Sequence, residues 1–338
     1  MLSFFRAFLD EGNESKQTVP KYFLIMNKIL VTGGAGFIGS TLTEHLLKNP
    51  ENFVVVVDNL STGHIKKLVL PQQNFKFIKA DANDRKELSE IMMSWKFDFV
   101  FHYAAVVGVQ RTLANPLFVL NDVEGVKNVL ELSKNTGVKR VIFSSSSEIY
   151  GEPVEYPQNE HTTPLNSRLP YAIVKNLAEA YLRAYKKEFD LDFTIFRFFN
   201  TYGPKQSRNF VISKFINHAL KNEDIPVYGD GLQTRTFCFV EDNVKACISA
   251  FENDLFVNDV VNIGGDNEIT ILDLAREIIK LTGSSSKIVH LPALEEGDMR
   301  GRRPDTTKMK TLYNKPLITL QEGLRKVLEE GLFELKYQ

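Results

Sequence analysis

The feature that most constrains this chain is a glycine turn set between a strand and a helix. Residues 28–32 form a short apolar, β-branched run, and Gly33-Gly34-Ala35-Gly36-Phe37-Ile38-Gly39 follows at once. A helical stretch over 40–48 comes next, then a second strand over 53–57 that ends at Asp58, 19 residues past Gly39. Strand, glycine turn, helix, strand and acid, in that order, mark a dinucleotide-binding βαβ unit. Gly33 permits the tight turn, Gly36 lets backbone approach a pyrophosphate, and Gly39 lets the helix pack on the strand. The phosphates meet the helix N-terminus, where free N–H groups and the helix dipole favour anions. Asp58 is placed to accept bonds from the adenosine ribose hydroxyls. Its charge repels a 2′-phosphate, so the reading is NAD rather than NADP.

Alternation continues down the chain. Strands are expected at Phe75–Lys79, Phe99–His102 and 140–143, with helices over 84–93 and 116–135 between them. Strands alternating with helices imply a parallel sheet with right-handed crossovers, an α/β doubly wound fold of Rossmann type. Asp81, just past its strand, sits at the carboxyl edge where such sheets bind ligands, placed for the adenine amino group or as a turn aspartate. Beyond residue 200, helices are expected over 210–220, 242–251, 271–281 and Leu320–Glu330, with a strand and turn over 260–265. The expected organisation is an NAD-binding domain over 27–199. A smaller substrate-binding lobe follows, mainly over 200–338, with some chain crossing back to the sheet. Residues 1–26 read as a leader, disordered or a short helix, too short and acidic for a secretory signal.

Bulk properties exclude several classes. At 338 residues, 43% hydrophobic and 25% charged, the chain has the make-up of a soluble globular protein with a sizeable core. A formal charge of −1 argues against a nucleic-acid binder built on a broad basic surface. No apolar run reaches the ~18 residues of a membrane span. Cys238 and Cys247 are too few and too far apart for a metal knuckle or a disulfide scaffold, and read as thiols of a reducing, cytoplasmic compartment. The histidines at 45, 64, 161, 218 and 290 show no ligand spacing, so no metal is expected.

The candidate chemistry centres on Tyr171-Ala172-Ile173-Val174-Lys175, at the start of a helix running to Phe189. Four residues apart, Tyr171 and Lys175 share one helix face. A free phenol titrates near pH ~10 and is a poor base at neutral pH. An ammonium one turn away favours the phenolate and brings its proton into useful range. The strand ending at Phe143 runs into Ser144-Ser145-Ser146-Ser147-Glu148-Ile149-Tyr150-Gly151, which puts hydroxyls and a carboxylate at the ligand edge. A serine hydroxyl there can share a hydrogen bond with a substrate hydroxyl while Tyr171 removes its proton.

Together these segments resemble the extended short-chain dehydrogenase/reductase family, in its NAD-dependent nucleotide-sugar epimerase/dehydratase branch. The resemblance runs from about Lys28 to the C-terminus. It includes Asp58-Asn59-Leu60-Ser61-Thr62-Gly63, Arg197-Phe198-Phe199-Asn200-Thr201-Tyr202-Gly203-Pro204 and Val227-Tyr228-Gly229-Asp230-Gly231-Leu232-Gln233-Thr234-Arg235. It implies that the phenolate of Tyr171 takes the proton of a sugar C4 hydroxyl while C4 passes hydride to NAD. Lys175 then lowers the tyrosine pKa and binds the nicotinamide ribose, and Ser146 is the matching hydroxyl. For the cofactor it further implies Phe37, Ile38, Asn59, Ser61, Thr62, Gly63, Ala82, Tyr103, Ala104 and Ala105. For the nucleotide diphosphate of the sugar it implies Asn200, Arg235 and Arg300, with Ser147 on the substrate. A homodimer, or a dimer of dimers, is the implied assembly, through the helices after Pro116 and Tyr171.

Within the branch, Ser147 disfavours 4,6-dehydration, because dehydratases carry an Asp-Glu pair at these positions. Ser146-Ser147-Glu148 is similar to UDP-glucuronate decarboxylases, as is Arg302 in Arg302-Arg303-Pro304-Asp305. The chemistry is coherent: a C4 ketone is an electron sink for loss of CO₂ at C5, and Arg302 can bind the carboxylate. Three departures keep other outcomes open. His102-Tyr103-Ala104-Ala105-Val106-Val107-Gly108-Val109 and the middle of Tyr171–Lys175 are epimerase-like, and Asp122 stands where the family usually has Asn. Decarboxylation ranks first, then 4-epimerisation, then a 4-dehydrogenase releasing a keto sugar. A non-catalytic NAD-binding scaffold is the alternative of a different class.

Overall fold

The computed structural model of the chain describes residues 26–68, 72–294 and 298–333, so the leader reading over 1–26 lies almost wholly outside the described residues. Seven parallel strands form the central sheet: β1 (Asn27–Thr32), β2 (Asn52–Asp58), β3 (Phe75–Lys79), β4 (Phe99–His102), β5 (Arg140–Ser146), β6 (Asp192–Phe198) and β7 (Asp259–Ile263). Their spatial order is β7-β6-β5-β4-β1-β2-β3. The chain runs outward from β1 to β3, then returns to the other side of β1 as β4. That reversal leaves a crevice at the carboxyl ends of β1 and β4, where an open parallel sheet takes its ligand.

Side chains alternate across the sheet because a strand repeats every two residues. Ile29, Val31, Val54 and Val56 face one layer, and Leu30, Val55 and Val57 face the other. The first layer holds α1 (Phe37–Leu46). The second holds α2 (Arg85–Trp95), α5 (Asp122–Thr136) and α6 (Pro170–Phe189). Between α2 and α5 lie two short helices, α3 (Val109–Ala114) and α4 (Pro116–Leu120). The single helix expected over 116–135 is therefore two. At their junction the Glu124 amide reaches back only three residues, to the Asn121 carbonyl (3.0 Å), a tighter turn than α geometry.

The remaining helices are α7 (Val211–Leu220), α8 (Val240–Glu252), α9 (Ile271–Thr282), α10 (Thr307–Leu312) and α11 (Leu320–Glu330). Ile212, Phe215, Leu274, Ile278, Leu324 and Val327 from α7, α9 and α11 form a second core with Ile225 and Val227, the body of the smaller lobe. The segments over 242–251 and 260–265 do not join it. The first is α8, which packs on α1, and the second supplies β7. Both are apolar enough to be buried by the sheet, and Val244, Cys247, Val261 and Ile263 sit in its core. Three short strands in the lobe matter for the site. Thr234–Thr236 pairs with Glu268–Thr270 on one side and with Gly301–Arg302 on the other.

Candidate active site

A cleft of about 540 Å³ runs from the glycine turn to the lobe. At its sheet end Gly33 has φ +70°, and a β-carbon there would lie 2.6 Å from Ala104. A β-carbon on Gly39 would run into the Gly33 carbonyl. The turn is thus compressed between two strand ends in a way that only glycine permits. Asp58, at the end of β2, is fixed by the Ala35 amide (2.9 Å) and the Leu60 amide (2.8 Å). Burial raises its carboxyl, and those two N–H donors work against the rise. Asn59 donates to Asp81 (3.0 Å), while the other oxygen of Asp81 accepts from the Asn83 amide (2.9 Å). Asp81 is therefore both a turn aspartate and part of the cleft wall.

These residues suit a dinucleotide: bare backbone at a helix N-terminus and a carboxylate in the cleft wall. Phe37, Ile38, Ser61, Thr62, Ala82, Tyr103, Ala104 and Ala105 line the same cleft, as do Gly33, Gly36, Gly39, Asp58, Asn59 and Asp81. Gly63 does not. It backs the Asp58 carboxylate, where an added β-carbon would stand 2.7 Å from Oδ1. Its lack of a side chain leaves room for Asp58.

Beyond the turn, β5 delivers the serine run and α6 delivers Tyr171 and Lys175. Pro170 starts α6, preorganised for a first turn whose N–H groups have no helical partner. Lys175 is buried and donates to the Ser144 carbonyl (2.6 Å), its ammonium 4.6 Å from the Phe143 ring centroid. Burial pulls it down to about 8, against the opposing charges of Asp122 and Glu179. Tyr171 meets the Ser146 hydroxyl, which also accepts from the Glu148 amide (3.2 Å). Burial raises Tyr171 well above the ordinary phenol, the charge of Glu148 adds to the rise, and the Ser146 bond only partly offsets it. The ammonium is 5.8 Å from the Tyr171 ring centroid and is committed to Ser144.

Behind the serine run lies a buried ion pair. Arg197 grips Glu179 through Nε (2.9 Å) and Nη2 (2.7 Å) and donates to the Tyr150 hydroxyl (2.8 Å), while Ser145 donates to Glu179 (2.7 Å). Burial alone would raise Glu179, but Arg197, Ser145 and Arg183 hold it below the usual range. This network ties β5, α6 and β6 together directly beneath Ser146.

At the lobe end Gly301–Arg302 runs parallel to Thr234–Thr236, and its register sets Arg302 beside Arg235. Arg235 donates to Asp298 (2.6 Å) and to the Met299 carbonyl (2.8 Å); burial and the adjacent Arg302 pull it to about 10. Arg302 reaches Glu148 (3.5 Å) and the Met299 sulfur (2.7 Å), and its buried Nε has no partner. Two guanidiniums side by side in a cleft suit an anion. Ser147, Glu148 and Asn200 line it too, with Asn200 donating to the Thr236 carbonyl (2.9 Å) at φ +37°. Arg300 does not join them. It is exposed and outside the lining, one residue before the strand Gly301–Arg302 begins.

Sequence reasoning missed several lining residues. His102, at the end of β4, bonds the Thr32 hydroxyl (2.8 Å), and burial, helped by Lys175, pulls it down to about 3, so the ring is neutral. Its place at a strand's carboxyl end was the available signal. Lys214, whose ammonium lies 5.3 Å from the Tyr228 ring centroid, and Gln206, Phe210, Gln233 and Asp298 also line the cleft. They come from lobe segments whose approach depends on tertiary packing.

A model of the NAD dependent epimerase/dehydratase family matches residues 29–264. The chain is 36% identical over 321 residues to UDP-glucuronic acid decarboxylase 1 of Danio rerio, covering 92% of this chain and 74% of that protein. It is also 36% identical over 319 residues to UDP-N-acetyl-alpha-D-glucosaminuronate decarboxylase of Bacillus cytotoxicus, covering 89% and 97%. The solved UDP-glucose 4-epimerase of Thermotoga maritima with UDP-glucose superposes with a TM-score of 0.85 at 34% identity, covering 92% of this chain and all of that one. The glycine turn over Asp58, the paired Tyr171 and Lys175, and these matches along most of the chain lead to one conclusion: it is an enzyme of the NAD-dependent epimerase/dehydratase family.

Proposed function

We propose that the enzyme oxidises the C4 hydroxyl of a UDP-uronate and removes its carboxyl group as CO₂. One observation carries this reading: Arg302, set beside Arg235, reaches Glu148 and lines the same cleft as Tyr171 and Ser146. A buried guanidinium in the same cleft as the phenol supports a role for Arg302 in holding the sugar carboxylate. When bound, NAD supplies the acceptor for the C4 hydrogen and a positive charge in the cleft that offsets the burial keeping Tyr171 protonated. Ser146 orients the C4 hydroxyl and Tyr171 takes its proton. Lys175 is placed for the cofactor ribose. With a ketone at C4, the electrons of the breaking C5–carboxyl bond pass to that carbonyl as CO₂ leaves, and C5 then takes a proton from solvent as the carbonyl re-forms. Arg302 holds the carboxylate until it leaves, and Arg235 and Asn200 hold the diphosphate.

The experiment is mass spectrometry of UDP-, GDP-, dTDP- and CDP-sugars incubated with the enzyme. Loss of CO₂ from UDP-glucuronate or its 2-acetamido analogue is expected. An unchanged mass with altered stereochemistry would replace the reading with 4-epimerisation, which the close superposition on an epimerase favours as runner-up. Loss of two hydrogens would indicate a 4-dehydrogenase. Tyr171→Phe should abolish turnover while NAD binding survives. Wild-type protein that binds NAD and transforms no sugar would leave the scaffold reading.

A homodimer is part of the proposal. Leu117 (81% exposed), Phe118 (53%), Ile173 (44%) and Leu177 (41%) make an apolar patch across α4 and α6, which touch each other. A monomeric mass in sedimentation would overturn it. Two buried free thiols support a cytoplasmic setting, and no described helix is long and apolar enough to cross a membrane.

A further inference from the structure

The far end of the chain returns to the cofactor cleft. α11 docks on Tyr202, which lines the cleft: the Tyr202 hydroxyl donates to the Leu320 carbonyl (3.4 Å), and a β-carbon on Gly323 would run into that hydroxyl. Three residues past α11, Phe333 is buried, and its amide donates to the Pro204 carbonyl (2.9 Å). The Phe333 ring meets the His64 ring edge-on, 5.4 Å between centroids, and its own centroid lies 5.1 Å from the Lys67 ammonium. His64 and Lys67 end the stretch that follows Asp58. The His64 amide donates to the carbonyl of Ala35, inside the glycine turn (2.9 Å), and the His64 carbonyl accepts from the Lys67 amide (2.9 Å). Lys67 lines the cleft, as do Asn59, Ser61 and Thr62. A second brace comes from Lys205, whose ammonium donates to the Lys67 carbonyl (3.0 Å) and pairs with Glu44 of α1.

We propose that Phe333 and Lys205 are positioning residues for NAD: they clasp the stretch from Asn59 to Lys67 against the glycine turn and so set how tightly the cofactor is held. That stretch holds itself weakly. Its one regular piece is a single 3₁₀ turn over Ile65–Lys67, and Asn59, Ser61, Thr62 and Ile65 are exposed. A segment with so little buried surface opens locally at small free-energy cost. Opening removes the wall that carries Asn59, Ser61 and Thr62, so apparent affinity scales with the fraction of molecules in which the stretch is closed. Phe333 and Lys205 stand outside the cleft lining, and they act through the stretch they hold rather than by touching the cofactor.

The test is calorimetric titration of NAD into the nucleotide-free full chain, with no sugar present. Phe333→Leu keeps an apolar side chain and removes the ring contacts, and Lys205→Met keeps the stem and removes the ammonium. Each should raise the NAD Kd about tenfold, the size of losing one aromatic or charge-assisted contact. Amide hydrogen exchange over residues 64–67 should quicken in both, with β4 and β5 unchanged. Phe333→Tyr, which keeps the ring, should bind NAD like the parent. Lys205 is only partly buried, so Lys205→Met decides the matter if Phe333→Leu folds poorly. Lower melting temperatures with NAD affinity and loop exchange unchanged, in the variants that fold, would overturn the proposal and leave α11 as lobe packing. NAD binding is read without a sugar, so this outcome is independent of the reaction proposed above.

Discussion

Lys175→Met separates the cost of a buried ammonium from its use. Burial pulls Lys175 from 10.5 to about 8 in the folded protein. Below about pH 8 the lysine is protonated in both folded and unfolded chains, and the folded state bears the whole cost of the enclosed charge. Between about 8 and 10.5 the folded protein has released that proton while the unfolded chain keeps it. The unfolded state then binds more protons, so the stability of the parent rises with pH. At about 1.4 kcal/mol per pH unit the gap corresponds to about 3 kcal/mol. The lost bond to the Ser144 carbonyl, about 1–3 kcal/mol, applies at every pH and does not affect the slope. Urea unfolding of nucleotide-free parent and variant across this range should show the parent gaining about 3 kcal/mol on the variant. The variant should also be inactive throughout. A difference in stability that stays flat would mean that Lys175 is not carried as a buried ammonium, and the electrostatic account of the pair would fail.

Three further outcomes follow from the same geometry. Arg197→Leu leaves Glu179 charged and buried and should cost about 3–5 kcal/mol in denaturant unfolding, whereas the Glu179→Leu, Arg197→Leu double variant should lose less than either single one. Gly39→Ala drives a β-carbon into the Gly33 carbonyl, so calorimetric titration should find NAD affinity largely lost. Arg302→Ala removes a charge-assisted contact of about 1.5–3 kcal/mol, predicting about a 10- to 150-fold loss in kcat/KM for the uronate with NAD affinity unchanged.

The glycine turn, the acid after β2 and the Tyr171–Lys175 spacing were legible because each is a local pattern whose geometry is set within a few residues. The serine run was legible through its place at a strand end. Choosing Arg300 for the cleft failed, because which residues of that segment face inward depends on its pairing with Thr234–Thr236, a contact between segments distant in sequence. The lobe contributors Lys214, Tyr228 and Gln233 were hidden for the same reason. Spacing on a helix face says nothing of burial, which raises the Tyr171 phenol. Here burial and Glu148 outweigh a lysine committed to a backbone carbonyl. Segments 242–251 and 260–265 were placed with the lobe by chain order, while their apolar faces belong to the sheet.

The most direct test uses UDP-glucuronate carrying deuterium at C4. If the phenol takes the C4 hydroxyl proton as the cofactor accepts the C4 hydrogen, and that hydrogen is returned, the product loses CO₂ and keeps deuterium at C4, with a primary isotope effect on the oxidation step in single turnover. Tyr171→Phe abolishes both. CO₂ loss with no C4 isotope effect would contradict oxidation at C4 as the first step, and product that has exchanged its C4 deuterium for solvent hydrogen would contradict the return of that hydrogen to C4.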